Sequence, residues 1–237
     1  MERVRRRHRR RSRKRILGAL LALAVILAAG PLRQRIADLI DPPAWIIVLD
    51  SGHGGYDPGS IAADGTMEKD IALQIALRAG AILEGESDLR VVYTRDSDAV
   101  SWPAREAEDL DARVHIAQAA HADMLISIHL NAAENTDASG YETYIRADSE
   151  MMFDMAQRIH AEFARQGWSH ERGIKSTVNT PLYVVDASGM DAMLVEVGFI
   201  TNAEEADVLR SAQGQQMLAE CIARGIMAEL QAQMAAE

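Results

Sequence analysis

Two histidines and two glutamates in this chain stand at the ends of apolar runs, where side chains can do chemistry. His53 sits in Ser51-Gly52-His53-Gly54-Gly55, just after the run at 45–50 (WIIVLD). His129 closes the run at 123–129 (DMLISIH), Glu196 lies within the apolar run at 192–197, and Glu68 opens a stretch of helical periodicity. In open α/β sheets the sites form at the carboxyl ends of the strands, so residues far apart in sequence are expected to converge. Two imidazoles and one carboxylate are a standard catalytic set for zinc, with a fourth position left to water. Mn²⁺ or Co²⁺ suit the same donors. The spacing assigns His53, Glu68 and His129 as ligands of one Zn²⁺ and leaves Glu196 as a general base. Such a base takes a proton from an activated water and can return it to a leaving amine. That is the chemistry of amide hydrolysis.

Taken singly, each residue has a plainer explanation. A histidine between glycines suits a tight turn, and a glutamate in a first helical turn is favoured by the helix dipole. A histidine after an apolar strand can be a hydrogen-bonded core residue. Glu196 resists this treatment, because a carboxylate among Leu194, Val195 and Val197 is costly to bury unpartnered.

The elements that must position these residues are readable from periodicity. Strands are expected at 45–50, 89–94, 123–129, 141–145, 181–185 and 192–197. Helices are expected at 68–83, 105–120, 149–166 and 213–234, the last carrying Cys221 near its inward face. Strands alternating with helices predict an α/β domain: a mostly parallel central sheet of about six strands with helices on both faces.

The 237 residues are 48% apolar and 25% charged, which suits one globular domain and excludes a disordered chain. A single cysteine excludes an intramolecular disulfide and a cysteine-rich metal site. The formal charge of −10 is split. Residues 1–15 hold ten of the 25 Lys and Arg, and the remainder carries 15 basic against 34 acidic side chains. A domain so acidic has no footprint for nucleic acid, which needs clustered cations. The basic block precedes an unbroken apolar run at 16–30 (ILGALLALAVILAAG), the pattern of an export signal. As a helix it would reach about 22 Å, short of the roughly 30 Å hydrocarbon core, so it reads as either a cleaved signal peptide or a short signal anchor. Residues 31–44 form a linker ending in Pro42-Pro43, and 45–237 form the domain. The basic end is expected to stay cytoplasmic. The domain is then expected in the periplasm or on the extracytoplasmic face of the cytoplasmic membrane.

The sequence resembles the zinc-dependent N-acetylmuramoyl-L-alanine amidases of the bacterial cell-wall amidase type 3 family. The matching pieces are the stretch from Ile46 to Gly59, Glu68-Lys69-Asp70, Tyr93-Thr94-Arg95-Asp96, the stretch from Ala122 to Ala132, Gly140-Tyr141-Glu142-Thr143, Arg172-Gly173-Ile174-Lys175 and the stretch from Leu194 to Asn202. They keep the family's order and span nearly all of 45–230. The resemblance implies a catalytic domain that binds one zinc ion through His53, Glu68 and His129, with Glu196 catalytic. It also implies hydrolysis of the amide between N-acetylmuramic acid and L-alanine in peptidoglycan. Ser51 and Asp191 depart from the family's usual residues. Some members carry an inserted helix that blocks the site until an activator moves it; here 144–149 leads directly into an ordinary helix, so no such plug is expected, and no activator can be named.

Asn131, Glu142, Arg172 and Lys175 are secondary candidates for substrate contact, with a strand-end cap, a solvated strand position and ordinary solvated charges as the alternatives. Asp50 is a candidate for orienting a ligand, and Arg95 and Arg113 read as structural ion-pair partners. Competing functions are another zinc peptidase or deacetylase, and a non-catalytic wall-binding regulator.

Overall fold

The computed structural model describes residues 42–86 and 88–236. The expected basic leader at 1–15, the apolar segment at 16–30 and nearly all of the linker lie outside the described residues. Trp45–Glu237 form one compact unit. Among the described residues, no helix is long and apolar enough to cross a membrane.

In chain order the elements are β1 (Trp45–Ser51), α1 (Glu68–Leu83), β2 (Leu89–Tyr93), α2 (Glu106–Ala119), β3 (Met124–Asn131) and β4 (Tyr141–Ile145). They continue with α3 (Glu150–Arg165), β5 (Glu171–Ser176), α4 (Tyr183–Asp186), β6 (Asp191–Phe199), α5 (Ala203–Arg210) and α6 (Ala212–Ala236). The strands form one six-stranded sheet in the order β2-β1-β3-β6-β4-β5. The four strands β2, β1, β3 and β6 run parallel, while β4 pairs antiparallel with β6 and parallel with β5. The α/β class, the strand number and the mostly parallel pairing therefore stand, with the last two strands reversed.

Alternation along each strand decides which residues reach which face. Ile47, Leu49, Ile126, Ile128, Val195 and Val197 point into the larger core under α1, α3 and α6. Val48, Leu125 and Leu194 point to the opposite face, where α2 and α4 cover only part of the sheet. Two positions beyond them, still on that thinner face, come Asp50, Ser127 and Glu196, and His129 follows two after Ser127. The register sets His129 beside Glu196 on one side and Glu142 beside Glu196 on the other. A row of polar side chains thus crosses the sheet where the helical cover ends.

One expected strand is wrong and one real strand has no signal in the sequence. The β-branched run at 181–185 is not a strand, since Tyr183–Asp186 form one helical turn. Val184 and Val185 are both buried in the same cluster, which consecutive residues of a strand cannot achieve. Asp186 fixes the turn by accepting from the Leu182 amide at 2.8 Å and from the Thr177 hydroxyl at 2.7 Å. The sixth strand is β5, whose sequence ERGIKS is mostly polar because it lies at the sheet edge.

Candidate active site

His53, Glu68 and His129 meet at the carboxyl end of the parallel strands. One ligand-capable atom from each lies within 4.8 Å of the others. Glu68 Oε1 is 3.1 Å from His53 Nε2 and 3.0 Å from His129 Nδ1. The carboxylate is fixed from behind: its Oε1 accepts from the Leu130 amide and its Oε2 from the Ser60 amide, both at 2.9 Å. Burial lowers the His53 imidazolium's pKa, but the Glu68 and Asp57 carboxylates outweigh this and raise it to about 9.

Two glycines make the convergence sterically feasible. A Cβ on Gly52 would lie 2.3 Å from the His129 ring, and one on Gly59 would lie 2.6 Å from the His53 ring and 2.8 Å from Glu68 Oε2. His53 itself takes a left-handed backbone, φ 59°, which is strained for a residue with a side chain. Two arginines hold that turn. Arg113 donates to the carbonyls of Ser51 at 2.8 Å and His53 at 2.6 Å. Arg95 donates to the carbonyls of Ser51, Gly52 and Lys69. Asp50 touches neither imidazole. It accepts from Arg113, Thr94 and Ser127 at 2.7, 2.7 and 2.5 Å, so it acts on His53 only through Arg113. Burial alone would raise its pKa, but Arg113, Ser127 and Thr94 bring it down to about 2.

A residue the sequence reasoning missed orients His53. Asp57 Oδ2 lies 2.7 Å from His53 Nδ1, the ring nitrogen away from Glu68, and its Oδ1 accepts from the Gly59 amide at 3.0 Å. A carboxylate on the far nitrogen of a ligating histidine fixes both tautomer and ring direction. The available signal was its place in His53-Gly54-Gly55-Tyr56-Asp57-Pro58-Gly59, four residues on within one turn.

Glu196 lines the same cleft as the three ligand candidates, a space of about 900 Å³ that also touches Asn131, Leu182 and Tyr183. Its Oε2 is sealed from solvent and has no hydrogen-bond partner. Burial, then the charges of Glu68 and Glu142, push the Glu196 carboxyl up to about 8. A buried carboxylate oxygen without a partner is costly. Here the residue that carries it lines a cleft that already gathers two imidazoles and a carboxylate. That donor set, the backing by Asp57 and the space kept by Gly52 and Gly59 fit a bound divalent cation.

The four secondary candidates come together in one network. Glu142 is buried; its Oε1 accepts from Asn131 Nδ2 at 3.0 Å and from the Tyr144 hydroxyl at 2.9 Å. Its Oε2 accepts from Arg172 Nε at 2.7 Å and Lys175 Nζ at 2.5 Å. Burial opposes ionisation of Glu142, but these partners prevail and hold its pKa below the usual range. Of the four, Asn131 lines the cleft, and Arg172 and Lys175 are turned toward Glu142. Between His129 and Glu196, α4 contributes Tyr183 and Val184 to the cleft wall.

Comparison with known proteins sets this geometry in context. A family model described as N-acetylmuramoyl-L-alanine amidase matches residues 47–228. The germination-specific N-acetylmuramoyl-L-alanine amidase of Bacillus subtilis is 33% identical over 189 residues, covering 77% of this chain and 78% of that protein. The catalytic domain of CwlV, an N-acetylmuramoyl-L-alanine amidase from Bacillus (Paenibacillus) polymyxa, superposes with a TM-score of 0.70 at 31% identity, covering 79% of this chain and 98% of that one. The CwlD amidase of Clostridioides difficile, solved in complex with the GerS lipoprotein, gives 0.73 at 30% identity, covering 79% and 99%.

Proposed function

The chain belongs to the N-acetylmuramoyl-L-alanine amidase family, and from that premise we propose that it cleaves the muramoyl–alanine amide of peptidoglycan by a zinc-assisted mechanism with Glu196 as the base. His53, Glu68 and His129 would hold the ion. Bound there, zinc would polarise the amide carbonyl and make a water more acidic. Asp57 fixes the His53 ring through Nδ1, which would leave Nε2 for the ion, and Gly52 and Gly59 leave the two imidazoles room to approach. Glu196 accepts a proton from the attacking water and returns it to the alanine nitrogen as the C–N bond breaks. The products are a glycan with a free lactyl carboxylate and a stem peptide with a free amino terminus. Leu182 and Tyr183 also line the cleft and would border the substrate. The export pattern of residues 1–30 and the extracytoplasmic substrate support placement of the domain outside the cytoplasmic membrane, tethered to it if the apolar segment is retained. The GerS complex of CwlD supports a partner protein of that kind for this chain as well.

The observation that carries the reading is Glu196, with one buried oxygen unpartnered, lining a cleft shared with the two imidazoles and Glu68. The test is incubation of the protein with purified peptidoglycan, with and without a chelator, and mass analysis of the products. Free stem peptides beginning with L-alanine, lost on chelation and regained with zinc, are expected. Cleavage at another bond, or cleavage indifferent to chelation, would overturn it.

A further inference from the structure

His53 and Glu68 come from separate segments, the turn after β1 and the start of α1. These segments are joined by a ring of three hydrogen bonds whose members do not line the cleft. Asp98 Oδ1 accepts from the Gly55 amide and its Oδ2 from Lys69 Nζ, each at 2.9 Å. Lys69 Nζ closes the ring by donating to the Gly55 carbonyl, also at 2.9 Å. Gly55 is two residues beyond His53, and Lys69 directly follows Glu68. The segment from His53 to Gly55 runs through three successive positive φ values, 59°, 128° and 56°. Such a turn keeps its shape only when its surroundings over-determine it.

We infer that Asp98 is a positioning residue for the metal centre. It sets the separation between the His53 turn and the first turn of α1, so that imidazole and carboxylate are held ready for a divalent cation. This rests on the zinc reading above. Arg95 makes a parallel bridge, donating from one nitrogen to the carbonyls of Gly52 and Lys69 at 2.8 Å each. Arg95 is buried, and its removal threatens the fold. The Asp98 side chain is 53% exposed, whereas that of Lys69 is 11% exposed. Asp98 can therefore be changed without opening the core. An exposed ion pair alone contributes little to stability. What Asp98 adds is geometric: without it the Gly55 amide and the Lys69 ammonium both lose an acceptor, the far end of the turn is held to α1 by the Lys69–Gly55 carbonyl bond alone, and part of the ordering falls to the metal. That cost appears as weaker metal binding; groups bonded directly to a ligand account for about 10- to 100-fold in affinity, and Asp98, one step further out, is expected to sit at the low end of that range.

The experiment compares the full-length wild type with Asp98→Asn and Asp98→Ala. Zinc affinity is read by competition with a chromogenic chelator, thermal unfolding is measured on the zinc-free proteins, and turnover is followed as zinc is added back. Asp98→Ala is expected to bind zinc about 10-fold more weakly. Asp98→Asn should fall between, because its side-chain oxygen still accepts from Gly55. Zinc-free melting temperatures should agree within about 5 °C, and excess zinc should restore turnover to Asp98→Ala. Equal zinc affinities in wild type and Asp98→Ala would overturn the role of Asp98 while leaving the zinc reading intact, as would turnover that saturating zinc does not restore. A wild type that takes up no zinc would remove the zinc reading, and this inference with it.

Discussion

Glu142 and Glu196 stand opposite each other on neighbouring strands, yet the protein treats the two carboxylates in contrary ways. Glu142 receives four donors from Asn131, Tyr144, Arg172 and Lys175, and its pKa is held low. Glu196 leaves one buried oxygen unpartnered, and its pKa is raised to about 8. A carboxylate saturated by its own chain has little capacity left for a substrate and serves the architecture. One left with an unpartnered oxygen keeps a lone pair that no group of its own chain occupies, which is what accepting a proton requires. On the proposed mechanism, the difference puts chemistry at Glu196 and support at Glu142.

The largest effect should come from the metal side of the cleft. Glu68→Gln removes the carboxylate shared by both imidazoles, and metal analysis should find the variant without stoichiometric zinc. Turnover should fall by at least about 10³-fold if metal polarisation and the base act together. A zinc-free Glu68→Gln variant that still cleaves would break the comparison outright.

Glu142→Ala should show the reverse signature. It strands Arg172 and Lys175, and truncating one partner of a fully buried pair costs about 3–5 kcal/mol. Because these two cations are each about a third exposed, a loss of about 2 kcal/mol is expected in denaturant titration. Zinc content should be unchanged. Loss of turnover at unchanged stability would move Glu142 into the chemistry.

Asp50→Asn separates support from chemistry through pH. The folded-state pKa of Asp50 is about 2 against an ordinary 3.8. Its charge therefore stabilises the fold fully above 3.8, and that contribution is lost as pH falls through 2. The shift corresponds to about 2 kcal/mol. Wild type should exceed the variant by roughly that amount at pH 7, and the gap should close as the two are melted at progressively lower pH. A gap independent of pH would show that the Asp50 charge is not the source.

The smallest effect is expected from Lys175→Met, which keeps an apolar stem over the Tyr144 ring and leaves Arg172 on Glu142. Stability should change by less than about 1 kcal/mol and kcat/KM by only a few-fold. A collapse of kcat/KM would instead place Lys175 against the substrate's carboxylates, as its sequence position first suggested.

The candidate ligands and Glu196 were legible from their places: His129 and Glu196 lie in apolar strands, His53 in the turn after one, and Glu68 at the start of a periodic helix. Positions 48, 125 and 194 fix a face, and the polar residues two or four further on must share it. The state of Glu142 was not legible. It depends on β5, an edge strand whose side chains Arg172 and Lys175 reach across to a neighbouring carboxylate, so ERGIKS carries no hydrophobic period. The run at 181–185 misled for the opposite reason. Its valines look like a strand, but a helical turn is what buries both on one face. Asp57 and Asp98 lie in turns where function depends on which backbone amide or ring nitrogen they meet, and that is fixed only once the chain has folded.

The most direct test of the account is the turnover of zinc-loaded Glu196→Gln on purified muropeptides, measured beside its zinc stoichiometry. One zinc per chain, as in wild type, with release of stem peptides abolished is the predicted result. Release at the wild-type rate would contradict the assignment of Glu196 as the base.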